Sequence, residues 1–298
     1  MTPKDLFQKK LVICVGAGGV GKTSMAAAMG VEAALQGKKV LVLTIDPAKR
    51  LANSLGLEEF GNEAKEIDLS SLKESEGELW AMMLDGKHAF HELINRVTKD
   101  EKTKKDIYNN NIYQSIAESI VGNQEYMATE KLYDVVESGR YDFIILDTPP
   151  VKNALDFLES PGKMAQFVDK RVMKWFIQSS GDRKRLLGRL LSGTSGALFR
   201  LLGHVFGKEF LEDIVIFFNN FKGLYEGFHE RHQAVEQLFR DKDTSFVIVC
   251  APTEPAVEVS NFFVKELRRR EMPLLGVIAN QCHLLKKQSD SFPQSLKE

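Results

Sequence analysis

The sequence contains few cysteines, and none is spaced as in a metal-binding or redox motif. Its three cysteines are Cys14, Cys250 and Cys282, and no two of them form a C-x-x-C pair. A zinc site or a disulfide framework is normally indicated by such pairs, or by an even cysteine set in a short secreted chain. All three lie in or beside predicted strands, so we expect them to be buried, reduced thiols.

Long apolar segments and a strong net charge are also missing. No uninterrupted apolar run approaches the roughly 18 residues of a membrane-spanning helix. Residues 1–5 lack the apolar core of a secretory signal. The formal net charge of −1 gives no overall attraction to nucleic acid or to an acidic membrane surface. We therefore expect a cytoplasmic protein that binds no nucleic acid and is not stably inserted in a membrane.

The most informative motif runs from Gly16 to Thr23. It reads Gly-Ala-Gly-Gly-Val-Gly-Lys-Thr and fits G-x-x-x-x-G-K-[ST], the phosphate-binding P-loop. A β-branched apolar run at 11–15 precedes it and good helix formers at 24–29 follow, so the motif lies between a strand and a helix. Its glycines permit positive φ, which lets successive N–H groups face an anion. Lys22 is then expected to reach the β- and γ-phosphates, and the Thr23 hydroxyl to hold Mg²⁺.

A carboxylate follows the second predicted strand, at 39–45. Pro47 restrains Asp46 and ends the strand, which leaves this side chain at the carboxyl edge of the sheet. Ligands of open α/β sheets bind at that edge. Asp46 is therefore a candidate to orient a water molecule or to support the metal ion, and it also fits an N-cap of the next helix.

A second carboxylate, Asp147, ends the strand predicted at 143–146. In P-loop NTPases a carboxylate in this position reaches the Mg²⁺ ion. Pro149 and Pro150 stop the strand sharply, and the segment after them is placed to sense the γ-phosphate. An aspartate here could merely cap a turn. Its occurrence together with a P-loop favours the metal role.

Residues 162–228 differ in character from the rest of the chain. Apolar side chains recur there at helical spacing in four successive stripes. Nine Lys and Arg residues lie between positions 162 and 206, against only Asp169 and Asp182. The pattern predicts a helical subdomain inserted between Asp147 and the last strands. Its stripes either pack on one another or offer a basic-rimmed apolar surface to a hydrophobic client or partner protein.

The last two strands are predicted at 245–251 and 274–279. Pro252 follows the first and Asn280 the second. An amide at this edge offers a donor and an acceptor, which match the N6 and N7 edge of adenine. The predicted fold is a single P-loop NTPase domain over residues 1–298, of class α/β. Its mostly parallel sheet is covered by helices on both faces, and the helical subdomain is inserted over about 162–228.

With these segments placed, the chain resembles the arsenite-pump (ArsA) ATPase family, which includes the guided-entry ATPases that deliver tail-anchored membrane proteins. The match looks closest to bacterial single-domain members. The resemblance rests on Gly18 to Thr23, Asp46-Pro47-Ala48, Asp147-Thr148-Pro149-Pro150, Pro252 to Glu254 and Asn280-Gln281. It implies binding of ATP or ADP with Mg²⁺, ATP hydrolysis and a nucleotide-dependent homodimer. It also implies that Asp46 positions the attacking water and that Asn280 reads adenine.

The sequence departs from the family pattern at Ala17, which stands where the signature lysine precedes Gly-Gly. In the family this lysine reaches the partner's phosphates, so we expect slow hydrolysis with nucleotide binding intact. The sequence also lacks a cysteine trio suited to arsenite and the zinc-binding C-x-x-C of eukaryotic targeting dimers. The first two departures bear on activity and cargo, and the third on how a dimer is held.

Three functions remain open from the sequence. The first is an ATPase whose hydrolysis drives a conformational cycle, and the second a nucleotide-gated binding module that hydrolyses little. The third, a MinD/ParA-like positioning ATPase, suits the long 162–228 segment poorly. The candidate catalytic residues are Asp46 and Lys22, and the candidate metal ligands are Thr23, Asp46 and Asp147. The candidate nucleotide-binding residues are Gly18, Gly19, Val20, Gly21, Lys22, Thr23, Ser24, Asp147, Pro252 and Asn280.

Overall fold

Seven strands form one sheet in the computed structural model of the chain. The structure describes residues 3–45, 51, 63–70, 76–84, 92, 95, 98, 100–110, 124–148, 230–231 and 233–282. The strands are β1 (Leu11–Gly16), β2 (Lys39–Thr44), β3 (Lys65–Ile67), β4 (Glu78–Met83), β5 (Phe143–Asp147), β6 (Thr244–Cys250) and β7 (Leu274–Ala279). The helices are α1 (Pro3–Phe7), α2 (Lys22–Leu35), α3 (Glu101–Tyr108), α4 (Gln124–Glu137) and α5 (Glu254–Arg269). Residues 233–240 are also helical.

The strand order is β3-β4-β2-β5-β1-β6-β7. All pairings are parallel except that of β3 with β4. The predicted mostly parallel sheet is therefore confirmed. The strand β3 was not predicted from the sequence. Two of the three residues of β3 are exposed. This short edge strand therefore has no apolar run that would indicate a strand in the sequence.

Apolar side chains fill both faces of the sheet, and each face is covered by helices. On one face, Ile13 and Leu146 pack with Leu132 of α4 and Phe263 of α5. On the other face, side chains such as Val12 and Ile145 pack with the alanines of α2 and with α1. The central strands β1, β2, β5 and β6 are almost entirely buried. Each fully buried Leu or Ile side chain contributes about 1.5–3 kcal/mol to folding, so this two-sided core holds the strand ends in fixed positions.

Two apolar or sulfur-containing side chains near the end of the chain are exposed. Phe262 of α5 is 39% exposed, whereas its neighbour Phe263 is fully buried. Adjacent helical residues point about 100° apart, and only Phe263 faces the sheet. Cys282 was expected to be buried with the other thiols, but it is exposed, while Cys14 and Cys250 are buried. Cys282 lies beyond the end of the edge strand β7, where no further strand of the described sheet covers it.

The sheet brings together the strand ends on which the site prediction depends. The parallel register places Asp147 of β5 beside Cys14 of β1 and beside Thr44 of β2. It also pairs Gly16 at the end of β1 with Val249 of β6. The predicted helical subdomain at 162–228 lies outside the described residues. In the part of the chain that is described, no helix is long and apolar enough to cross a membrane.

Candidate nucleotide-binding site

The P-loop motif connects β1 directly to α2. Gly21 is the N-cap of α2 and adopts φ 91°, a left-handed conformation that favours glycine. A Cβ atom at Gly21 would overlap the amide nitrogen of Asn280. No side chain caps this end of α2, and no acidic residue lies in its first turn. The first-turn N–H groups and the positive end of the helix dipole therefore favour an anion at this position.

Lys22 is the first residue of α2, and its side chain folds back over the loop. Only 7% of it is exposed. Its Nζ donates to the carbonyl oxygens of Gly16 at 3.2 Å and Ala17 at 2.8 Å. The loop thus holds a buried ammonium group against its own backbone. That Lys22 reaches the β- and γ-phosphates stays a prediction.

Thr23 and Asp147, two of the predicted metal ligands, are in contact. The Thr23 hydroxyl donates to Oδ2 of Asp147 at 2.7 Å, although the residues are separated by 124 positions. The Thr44 hydroxyl donates to the same oxygen at 3.2 Å. Asp147 is 1% exposed, so its carboxylate is kept in place by neighbours rather than by solvent. Thr44 was not singled out from the sequence, because it is a single polar residue near the end of a predicted apolar strand.

These donors fit Mg²⁺. Mg²⁺ prefers oxygen ligands and usually takes one or two from the protein, the rest coming from phosphates and water. A hydroxyl and a carboxylate beside the phosphate-binding loop supply that set. Among the described residues, no group of three or more His, Cys, Asp or Glu side chains could hold a metal ion.

Cys14 of β1 is the strand neighbour of Asp147 of β5. Burial, and secondarily the negative charge of Asp147, raises the pKa of Cys14 far above its ordinary value, while Lys22 opposes the shift. Cys14 is therefore a neutral thiol near pH 7. The thiolate is the reactive form of cysteine, so this side chain is a packing residue of β1 and not a nucleophile.

The residues after β7 contact the P-loop. Nδ2 of Asn280 donates to the carbonyl oxygen of Val20 at 2.8 Å, and Nε2 of Gln281 donates to that of Gly19 at 2.9 Å. An Asn side chain carries two N–H donors and one acceptor. The bond to Val20 therefore leaves Asn280 with the groups needed for an adenine edge. Gln281 was quoted from the sequence only as part of a family motif, and its contact with the loop was not foreseen.

The other candidate residues fall in three groups. Gly18, Gly19 and Ser24 are exposed on the loop and the first turn of α2. Pro252 is exposed at the carboxyl end of β6, where Thr253 N donates to Ala251 O at 2.8 Å and α5 begins. Asp46, the predicted water-positioning residue, lies outside the described residues. Its role stays a prediction.

A cavity of about 640 Å³ lies elsewhere, near the amino ends of β2 and β4. Lys39, Trp80 and Tyr141 line it, together with side chains of α4. No residue of the P-loop and neither Thr23 nor Asp147 contributes to its walls. The cavity is therefore separate from the candidate nucleotide-binding site.

Comparison with known proteins agrees with the geometry. The family model for anion-transporting ATPases, ArsA_ATPase, matches residues 9–298. ATPase get3 of Botryotinia fuckeliana is 27% identical over 288 residues, which cover 96% of this chain and 76% of that protein. ATPase GET3 of Podospora anserina is 27% identical over 276 residues, with 92% and 74% covered. The P-loop, the strand order and the family match lead to one conclusion: the chain is a P-loop ATPase of the ArsA family.

Proposed function

We propose that this chain hydrolyses Mg-ATP slowly, as a nucleotide-dependent homodimer, and that its nucleotide state controls a client- or partner-binding region at 162–228. The observation that carries the ATPase part is the contact between the Thr23 hydroxyl and the Asp147 carboxylate, next to the buried Lys22 ammonium. The client-binding part draws on the sequence pattern of 162–228 and on the similarity to proteins named ATPase get3.

In this proposal each residue at the strand ends has a defined task. Lys22 and the backbone N–H groups of the loop neutralise the phosphate oxygens. Thr23 and Asp147 hold Mg²⁺, which when bound neutralises charge developing between the β- and γ-phosphates. Asp46 orients the attacking water, and Asn280 with Pro252 contacts adenine. The sequence has no cysteine trio suited to arsenite, which argues against arsenite as cargo.

The described residues on either side of 149–229 are well placed to couple that segment to nucleotide. Thr148, which follows Asp147 directly, donates its hydroxyl to the Cys14 carbonyl at 2.6 Å. Arg231 forms ion pairs with Glu130 and Asp134 of α4. One end of the segment is thus attached beside the metal-binding carboxylate and the other to a core helix. A change at Asp147 is expected to act on the segment through Thr148.

Hydrogen exchange tests this coupling. We expect amide protection in 162–228 to differ between the ADP-bound chain and the chain bound to a non-hydrolysable ATP analogue with Mg²⁺. The surface helix α5 serves as the internal control, because its packing on β6 and β1 gives no reason for a response. Identical protection of 162–228 in both states would mean that this segment is ordinary packing and would remove the gating part of the proposal.

The nucleotide-gated module that hydrolyses little is the alternative, and Ala17 is the residue that favours it. The backbone carbonyl of Ala17 accepts from Lys22, but its side chain carries no charge. A charge supplied in trans to a transferring phosphoryl group contributes about 10³–10⁵ in rate. A chain without it is expected to bind nucleotide normally and to turn it over slowly.

Ala17→Lys tests whether such a charge is missing. We expect a gain of at least about 100-fold in ATP turnover, stronger ATP-dependent dimerisation, or both, while ADP affinity changes little. Steady-state phosphate release and mass by light scattering are the measurements. Ala28→Lys, at an exposed position of helix α2, which follows the loop, is the matched control for an added charge. If the parent turned ATP over rapidly and Ala17→Lys left turnover unchanged or lowered it, the charge would come from another residue.

A further inference from the structure

Three consecutive carbonyl oxygens of the P-loop each accept a hydrogen bond from a residue outside the loop. Gly19 O accepts from Gln281 Nε2 at 2.9 Å, and Val20 O accepts from Asn280 Nδ2 at 2.8 Å. Gly21 O accepts from the backbone N–H of Met25 at 3.0 Å, within α2. The first two donors come from side chains that follow β7, about 260 residues further along the chain.

The planarity of the peptide bond gives these contacts a consequence. In a trans peptide group the C=O and the N–H point in opposite directions. The carbonyls of Gly19, Val20 and Gly21 share peptide groups with the N–H donors of Val20, Gly21 and Lys22. Each N–H therefore points away from the donor that holds its carbonyl. Successive N–H groups oriented in this way form an anion-binding concavity.

We infer that Gln281 is a positioning residue for phosphate binding: its amide fixes the Gly19–Val20 peptide so that the Val20 N–H is oriented for a phosphate oxygen. The backbone of Gln281 supports a dedicated role. Its φ is 59°, a left-handed conformation that is uncommon for a glutamine. Such conformations persist where the surroundings fix them, and they cluster at ligand-binding sites. Asn280 holds the next peptide in the same way, and its own backbone N–H donates to Cys250 O at 2.8 Å, which attaches the pair to the sheet.

Two substitutions separate the contribution of the Gln281 side-chain amide from that of its backbone conformation. Gln281→Gly removes the amide and relieves the positive φ, so its folded state is not expected to lose stability through strain. Gln281→Glu keeps the side-chain shape but replaces the donor by an acceptor. Gln36→Ala is the matched control, because Gln36 also uses its amide nitrogen at 2.8 Å, on the exposed end of α2, with Glu32 as acceptor.

The probes are ADP and inorganic pyrophosphate, each with Mg²⁺, measured by competition with a fluorescent ADP analogue. We expect both Kd values to rise by the same factor, about three- to tenfold, in Gln281→Gly, and by more in Gln281→Glu. Gln36→Ala is expected to leave both unchanged. Because pyrophosphate has no base or sugar, an equal loss for the two probes assigns the effect to the phosphate cradle. Melting temperature without ligand is the folding control.

Two results would overturn the inference. One is unchanged Kd values in Gln281→Gly, which would mean that the hydrogen bond from Gln281 to the Gly19 carbonyl does not affect binding. The other is a loss for ADP with unchanged pyrophosphate binding, which would place Gln281 at the nucleoside. The inference rests on nucleotide binding at the P-loop. If the unsubstituted chain bound neither probe, the proposed nucleotide binding would fail together with the inference. That result is distinct from a failure of the inference alone, because it is seen without any substitution.

Discussion

Lys22→Ala is expected to weaken ATP and ADP binding by about 10- to 150-fold, because a hydrogen bond to a charged group contributes about 1.5–3 kcal/mol. Turnover is expected to fall by at least about 100-fold, since removal of one preorganised electrostatic group costs 10²–10³ in rate. The physical reason is the position of the ammonium group. It is buried against Gly16 and Ala17, within the loop that we propose binds the phosphates.

Titration calorimetry and phosphate release measure the two effects of Lys22→Ala separately. Lys9→Ala provides the matched control, because Lys9 also donates to a backbone carbonyl, that of Lys242 at 2.6 Å, but precedes β1 at the far end of the strand. Lys9→Ala should retain the affinity and turnover of the parent. Equal nucleotide affinity in Lys22→Ala and the parent would contradict the assignment of the P-loop as the nucleotide site.

Asp147→Asn is expected to remove the effect of Mg²⁺ on ADP binding and to slow ATP turnover. The amide keeps an oxygen that can accept from Thr23 and Thr44, so the fold should be retained, whereas the negative charge that attracts Mg²⁺ is lost. ADP affinity measured without Mg²⁺ should match or exceed that of the parent. Turnover should fall by at least about 100-fold, and Mg²⁺ should no longer strengthen ADP binding.

The comparison needs ADP affinities with Mg²⁺ and with chelator, for the parent and for two variants. Asp142→Asn is the control, since Asp142 accepts from the backbone N–H of Lys39 at 2.9 Å on the exposed, opposite end of the same strand region. It should behave as the parent does. If Asp147→Asn retained full magnesium-dependent turnover, Asp147 would be a capping group of β5 and the metal site would have to be sought elsewhere.

The sequence predicts the parts of this site that are written as local patterns. The glycine spacing of the P-loop and the Lys22-Thr23 pair specify a loop between a strand and a helix. Asp147 follows four buried apolar residues, and a run of that kind identifies both the strand and its end. The carboxyl edges of parallel strands meet at one side of the sheet, so the contact between Thr23 and Asp147 follows from topology once the fold class is known.

Contacts between distant positions were not predictable in the same way. Thr44 reaches Asp147 across 103 positions and Gln281 reaches Gly19 across 262, and neither has a sequence neighbour that marks it. The burial of Phe263 but not Phe262 depends on the rotation of α5 on the sheet, which two adjacent phenylalanines in the sequence do not specify. β3 was missed because the edge strand pairs through its backbone and buries only Ile67.

The central claim is that Mg-ATP is bound and hydrolysed at the site formed by Lys22, Thr23 and Asp147. Its most direct test is single-turnover phosphate release, with purified chain in excess over radiolabelled ATP, so that slow hydrolysis is still detected. We expect complete conversion of ATP to ADP and phosphate with Mg²⁺, none with chelator, and a rate at least about 100-fold lower in Lys22→Ala. Release that is absent from the parent, or equal in the parent and in Lys22→Ala, would contradict the claim.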